Sequence, residues 1–160
     1  MTAIAHDGVV DFYWLPAVAS IAAPTIAEFT AGTRIPLITN YDIPSSESEV
    51  DTSGVDDIYD TSVVGTSKAG PMVLTIKRDD TSETNTWDLF DFREKGFLVR
   101  LPFGGSGTAG VPAATDKAEV YPAQVGQKRP EGYSRNATQK FMVSFYITSA
   151  PNIDAAVSAA

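Results

Sequence analysis

The sequence predicts a mainly β protein: a β-sandwich or barrel of about seven to eight strands, with one flanking α-helix and a long acidic loop or hairpin. Three observations carry this. Short apolar runs with a period of two recur along the chain, clearest at 71–78 (PMVLTIKR), where Met72, Leu74 and Ile76 share one face and Val73, Thr75 and Lys77 the other. The 12 glycines and 10 prolines fall between such runs, which is strand-and-turn punctuation. Only two stretches carry the caps of a helix. The length, 160 residues, suits one domain, and we expect a single domain over 1–160 with mobile ends at about 1–8 and 150–160.

In chain order, 11–20 (DFYWLPAVAS) is aromatic and β-branched enough for a first strand, with Pro16 at an edge or bulge. A short helix comes next: Thr25 caps, Glu28 stands three residues on, and Gly32 closes. Residues 34–39 read as a short strand. The segment 41–57 is polar, acidic and serine-rich, a long loop or extended hairpin. The strand at 71–78 leads to what reads as the principal helix, 84–95, capped by Thr84 or Asn85, with Trp87 and Phe90 on one face and Lys95-Gly96 at its end. A strand at 97–103 returns with Phe97, Val99, Leu101 and Phe103 on one side and Arg100 opposite. Residues 104–115 (GGSGTAGVPAAT) form a flexible connection. Residues 117–127 make a strand with Pro122 at a bulge or edge, 128–135 a turn, and 137–148 a strand with Phe141, Val143, Phe145 and Ile147 inward. The expected core is Leu74, Ile76, Trp87, Phe90, Val99, Leu101, Phe141, Val143 and Phe145.

Catalytic chemistry finds little support. There is no cysteine, hence no thiol nucleophile, thiolate metal site or disulfide. His6 is the single histidine and sits at a terminus. The run Gly104-Gly105-Ser106-Gly107 lacks the Lys-Ser/Thr of a phosphate loop, and 51–60 lacks the spacing of a calcium loop. Asn136-Ala137-Thr138 matches a glycosylation acceptor, but 1–10 carries no lysine or arginine and no signal-peptide pattern, so we expect synthesis in a cytoplasm. No apolar run approaches the ~20 residues of a membrane span. The formal net charge is −8, the opposite of what binding nucleic-acid phosphates requires. The charge is uneven: Asp42, Glu47, Glu49, Asp51, Asp56, Asp57 and Asp60 succeed one another with no intervening cation.

The run Ala23-Pro24-Thr25-Ile26-Ala27-Glu28-Phe29-Thr30-Ala31-Gly32-Thr33, preceded by Trp14-Leu15-Pro16, resembles the opening of tail tube proteins of actinobacterial siphophages. Those typically read Ala-Pro-Thr-apolar-Ala-Glu-apolar-x-Ala-Gly-Thr. The later order is similar too: an acidic serine-rich segment, an alternating strand, Trp87-Asp88-Leu89-Phe90, then Arg100-Leu101-Pro102-Phe103-Gly104 and Val120-Tyr121-Pro122-Ala123. The resemblance implies a structural virion protein of the phage tail, assembled in the host cytoplasm. It implies hexameric rings stacked into a hollow tube, built around a tape measure protein and meeting tail terminator and distal tail proteins. It implies viral DNA passing through without specific binding, and no cofactor, metal or catalytic residue. A ring of six copies at −8 each would carry −48 formal charges. On that reading Glu47, Glu49, Asp51, Asp56, Asp57 and Asp60, with Glu119, are candidates to face the lumen, where carboxylates keep DNA off the wall. The alternative is that they point outward and only aid solubility. Other readings are a tail terminator, head-tail joining or decoration protein, or a secreted β-sandwich binding module.

Overall fold

The computed structural model describes residues 8–56, 58–79, 86–132 and 134–159. Ten antiparallel strands dominate it. Eight form one sheet: β1 (Asp11–Leu15), β2 (Thr33–Arg34), β3 (Ile38–Asp42), β6 (Met72–Lys77), β7 (Lys95–Leu101), β8 (Lys117–Pro130), β9 (Lys140–Ile147) and β10 (Asn152–Ala156). The order across the sheet is β2-β1-β7-β8-β9-β6-β3, with β10 paired to β8. The remaining two, β4 (Ser45–Asp51) and β5 (Ser62–Ala69), pair with each other as a separate ribbon.

The two ends of that sheet, β2 and β3, are separated by three residues in sequence, so the sheet has to curl. Ile35 still donates to the Phe12 carbonyl of β1 at 2.9 Å, while the Leu37 carbonyl already accepts from Lys77 of β6 at 3.0 Å. Leu37 makes the crossing with φ 63, a conformation costly for a residue with a Cβ. Buried Ile35 plugs the seam, and Phe12 meets Tyr41 across it with ring centroids 5.0 Å apart. The result is a sandwich-like, nearly closed sheet with one core inside and another outside.

Strand alternation assigns side chains to these two cores. Inside lie Phe12, Trp14, Met72, Leu74, Ile76, Phe90, Leu98, Tyr121, Ala123, Val125, Phe141, Val143 and Phe145. Trp14, Phe90 and Phe145 form a ring cluster with centroids 5.3–5.9 Å apart. Outside, Tyr13, Leu15, Val99, Leu101, Ala118, Val120, Ala155 and Val157 gather around Phe29 of the helix α1 (Ile26–Ala31). The expected core residues are all buried except Trp87, which is half-buried; Val99 and Leu101 belong to the outer core and Leu98 beside them to the inner one. Phe103, expected to continue that face, is exposed.

Helix α1 forms as its capping box predicts. Thr25 Oγ1 accepts from the Glu28 amide at 3.3 Å, and Glu28 reaches back to accept from the Thr25 and Ala19 amides at 2.7 Å each. Gly32 ends it in extended backbone, φ −85, so its glycine serves close approach and not a left-handed cap. A Cβ there would run into the Leu15 side chain and lie 2.9 Å from the Trp14 carbonyl.

The principal helix expected at 84–95 is not there. Residues 84 and 85 lie outside the described residues, and the chain beyond them makes one 3-10 turn, Trp87–Leu89, with Phe90 extended at ψ 105. Thr86, Trp87, Asp88, Phe90, Asp91 and Phe92 are all weak helix formers. Arg93 then turns with φ 68, and its amide donates to the Val125 carbonyl of β8 while the Val125 amide donates to the Glu94 carbonyl. The flanking helix of the fold is therefore α1. Trp87 and Phe90 are placed by the turn, with Trp87 edge-on to Phe141 at 5.1 Å.

Pro122 lies within β8, neither at the edge of the sheet nor at a bulge; the bulge falls farther along, between Val125 and Lys128. It is tolerated because β8 changes partner there. Residues 117–120 pair with β10 and residues from 123 on with β9, so the missing amide falls at the handover, where the Pro122 carbonyl still accepts from Thr148. The turn expected at 128–135 begins only after Pro130. The glycine-rich connection is fastened: Asp116 accepts from the Ser106 amide and hydroxyl and the Ala113 amide at 2.6–2.8 Å. Near the C-terminus, the segment read as a mobile tail contains β10, with Ala155 and Val157 buried; Ser158 donates to Pro24 and accepts from Ile26, tying it to the start of α1. Most of the N-terminal segment at 1–8, His6 included, lies outside the described residues.

Candidate assembly surface

The acidic segment folds as the distal half of one long hairpin. β3 and β6 pair through Asp42↔Val73; Gly70 donates to the Pro44 carbonyl at 2.9 Å; β4 and β5 continue from Ser45↔Ala69 to Asp51↔Ser62. Pro44 and Pro71 flank the crossing and remove two ladder donors, which separates the ribbon from the sheet. Along β4 every residue is exposed, and β5 is nearly so.

The ribbon has two different faces. Its register shift lies on the β5 side, where residues 64–67 oppose 47–49, so β4 itself alternates without interruption. Glu47, Glu49 and Asp51 therefore project from one face. Ser48 staples the bulge from the other face, with Oγ 2.8 Å from the Thr66 amide and 3.2 Å from its carbonyl. Val50 and Val63 are directly paired there and exposed. Asp51 accepts from the Ser53 amide at 2.8 Å, and this bond, with the Ser53 hydroxyl, holds its pKa below the usual carboxylate value. Asp56 and Asp60 stand at the tip with Val55, Ile58 and Tyr59, whose side chains are almost fully exposed. Asp57 lies outside the described residues.

Glu119 is set apart from these. It sits at the mouth of the curled sheet, 2.8 Å from the Arg100 guanidinium through both oxygens, and accepts from Tyr121 Oη at 3.0 Å. Arg100 also donates to Tyr41 Oη at 3.3 Å. The Glu119 charge is thus matched within the chain, unlike those of the ribbon.

Sequence reasoning missed a second charged surface, at the opposite ends of the same strands. Lys77 of β6 is paired directly across from Lys140 of β9, and Arg129 of β8 stands two strands over from Lys77 on the same outer face. Arg78 and Lys128 flank Trp87 at 4.2 and 4.8 Å from its ring, and Lys128 donates to the Trp87 carbonyl at 2.6 Å. The doublets Lys77-Arg78 and Lys128-Arg129 were the available signal; only the sheet topology brings them together. Among the described residues, no group of His, Cys, Asp or Glu side chains is arranged to hold a metal, and no helix is long and apolar enough to cross a membrane.

The architecture, a curled antiparallel sheet with one outer helix and a detached ribbon, has a counterpart among solved assemblies. A chain of the cryo-EM structure titled anti-feeding prophage (AFP) baseplate, 6-fold symmetrised, superposes with a TM-score of 0.53, at 10% identity, over 93% of this chain and 93% of that one. At that identity the likeness is one of fold. No curated protein matches. The sequence itself matches the family model of the phage tail tube protein over residues 1–160, and the chain belongs to that family. It is a structural component of the phage tail, and so of the virion.

Proposed function

We propose that this chain is the major subunit of a siphovirus-type tail tube, assembling as six-membered rings that stack into the channel for genome delivery. The observation that carries the reading is the ribbon: a two-stranded hairpin with exposed apolar and acidic faces, standing off a finished core in a tail tube family member. An isolated two-stranded ribbon is marginal in water, so it calls for neighbours to cover it. The six-fold symmetry named for the structural neighbour is in keeping with a ring of six. The acids Glu47, Glu49 and Asp51 face the bore or its rim, Asp56 and Asp60 lie toward the tip, and Glu119, matched by Arg100, contributes little field. Carboxylates close to the path deny DNA the cation contacts that would bind it, within a screening length of about 8–10 Å. The partners are further copies, the tape measure protein at assembly, and terminator and distal tail proteins at the tube ends. The chain performs no catalysis and needs no cofactor.

Negative-stain microscopy of concentrated pure protein tests the assembly: rings or tubes are expected, and particles that remain featureless monomers at every concentration refute it. Charge reversal tests the bore. With Glu47→Lys and Glu49→Lys, tubes should form while genome ejection slows, more so at low salt. Unchanged ejection from well-formed particles removes these residues from the channel.

A further inference from the structure

Three cations gather on the outer face at these strand ends: Lys77, Arg129 and Lys140. Lys77 and Lys140 face each other across a strand pair, an arrangement that is unfavourable unless an anion relieves it. Arg129 adds a third charge on that face. Asp79 and Glu131 are near them along the chain, Glu131 coming after Arg129 at the end of β8 with its amide on the Lys140 carbonyl. Yet among the described residues neither Lys77, Arg129 nor Lys140 has a carboxylate within ion-pair distance. Next to them opens a depression of ≈ 870 Å³ with mixed polar and apolar walls, lined by Arg78, Pro130, Glu131, Thr138, Gln139 and Lys140. That is room for several side chains.

The tip of the ribbon has the complementary character. Val55, Ile58 and Tyr59 are 109, 96 and 82% exposed, with Asp56 and Asp60 beside them. Apolar groups so exposed mark a contact surface. The ribbon leaves the sheet where β6 begins, at Met72, and the cations lie where β6 ends, at Lys77. The two surfaces are therefore at opposite ends of one strand, about 20 Å apart before the ribbon's own length is added. A surface at one end that fits a surface at the other gives a heterologous, head-to-tail contact, the kind that propagates without closing.

We infer that the ribbon tip of one copy, around Val55, Asp56, Ile58, Tyr59 and Asp60, docks on the cationic ends Lys77, Arg129 and Lys140 of another copy. The inference rests on the tube reading and names the contact that joins successive copies along the axis. A polyanion such as DNA is the competing occupant; the net charge of −8 and the apolar members of the tip favour the protein surface.

The test is a charge swap, read by sedimentation velocity and electron microscopy at low and high salt. Lys77→Glu with Lys140→Glu should raise the concentration needed for tube growth by about tenfold or more, since like charges then meet. Asp56→Lys with Asp60→Lys should do the same, and the four changes together should restore growth. Lys77→Gln with Lys140→Gln, milder toward folding, should weaken growth and flatten its salt dependence. Tubes of unchanged length in the charge-reversed variants overturn this contact while leaving the tube reading intact. So does a fourfold variant that fails to recover although each parent pair is folded by circular dichroism. Loss of short-duplex DNA binding with tube growth unaffected assigns the cations to nucleic acid and also overturns it. A wild-type chain that never associates removes both readings.

Discussion

At the mouth of the curled sheet, Tyr41, Arg100, Glu119 and Tyr121 settle one another's charge within a few ångströms. Tyr121 is pushed well above the ordinary tyrosine value, by burial first and by the Glu119 carboxylate next. The folded form therefore keeps this proton at a pH where the unfolded chain, titrating near about pH 10, gives it up. Its contribution is intact below about pH 10 and is lost as pH rises from there through the folded value. Stability measured by urea unfolding should fall as pH rises across about 9.5–11, and Tyr121→Phe should remove part of that slope. Arg100→Met leaves Glu119 without its partner in a largely buried place, and should cost about 2–3 kcal/mol. Arg100→Met with Glu119→Met should recover much of it, because neither charge is then stranded. An equal loss in the single and double variants would show that packing and not charge sets the effect.

Among the elements, β9 joins the long strand β8 to the hairpin strand β6. It lies between β8 and β6 and supplies Phe141, Val143 and Phe145 to the inner core. Phe145→Ala should cost about 3–5 kcal/mol in chemical denaturation, since Trp14 and Phe90 pack against that ring and cannot follow it. Thr25→Ala should cost about 1 kcal/mol through the helix cap. β6 and β9 were legible because period-two alternation is a local property and each has one face in the core. Helix α1 was legible because its cap is written in a single short run from Thr25 to Glu28. The expected helix at 84–95 misled because capping residues and a Trp-Phe spacing of three fit a 3-10 turn equally well, while weak propensity and pairing with β8 decide the outcome. β10 was passed over: Ile153, Ala155 and Val157 alternate with Asn152 and Asp154, but the run is short and built partly of alanine, and its place depends on a free stretch of β8 much earlier in the chain. The acidic half of the assembly surface could be read directly, as a run without cations. The cationic half could not, because 77–78, 128–129 and 140 meet only through strand pairing.

Across the whole molecule, stability is unevenly distributed. The curled sheet holds two cores, whereas the ribbon has only its own ladder and a few Ser and Thr hydroxyls such as Ser48 and Thr52. Amide exchange in the dissociated subunit should be fast throughout β4 and β5 and slow in β7, β8 and β9; in assembled tubes the ribbon should become protected. Strong protection of the ribbon in the free subunit contradicts this. The knot between Ser158 and the first turn of α1 has a different consequence, one of timing. Phe29, Tyr13 and Leu15 wait for Ala155 and Val157 to cover them, and Pro24 and Ile26 wait for the Ser158 backbone. A chain still on the ribosome and short of residue 158 therefore has an open outer layer, however complete its inner one.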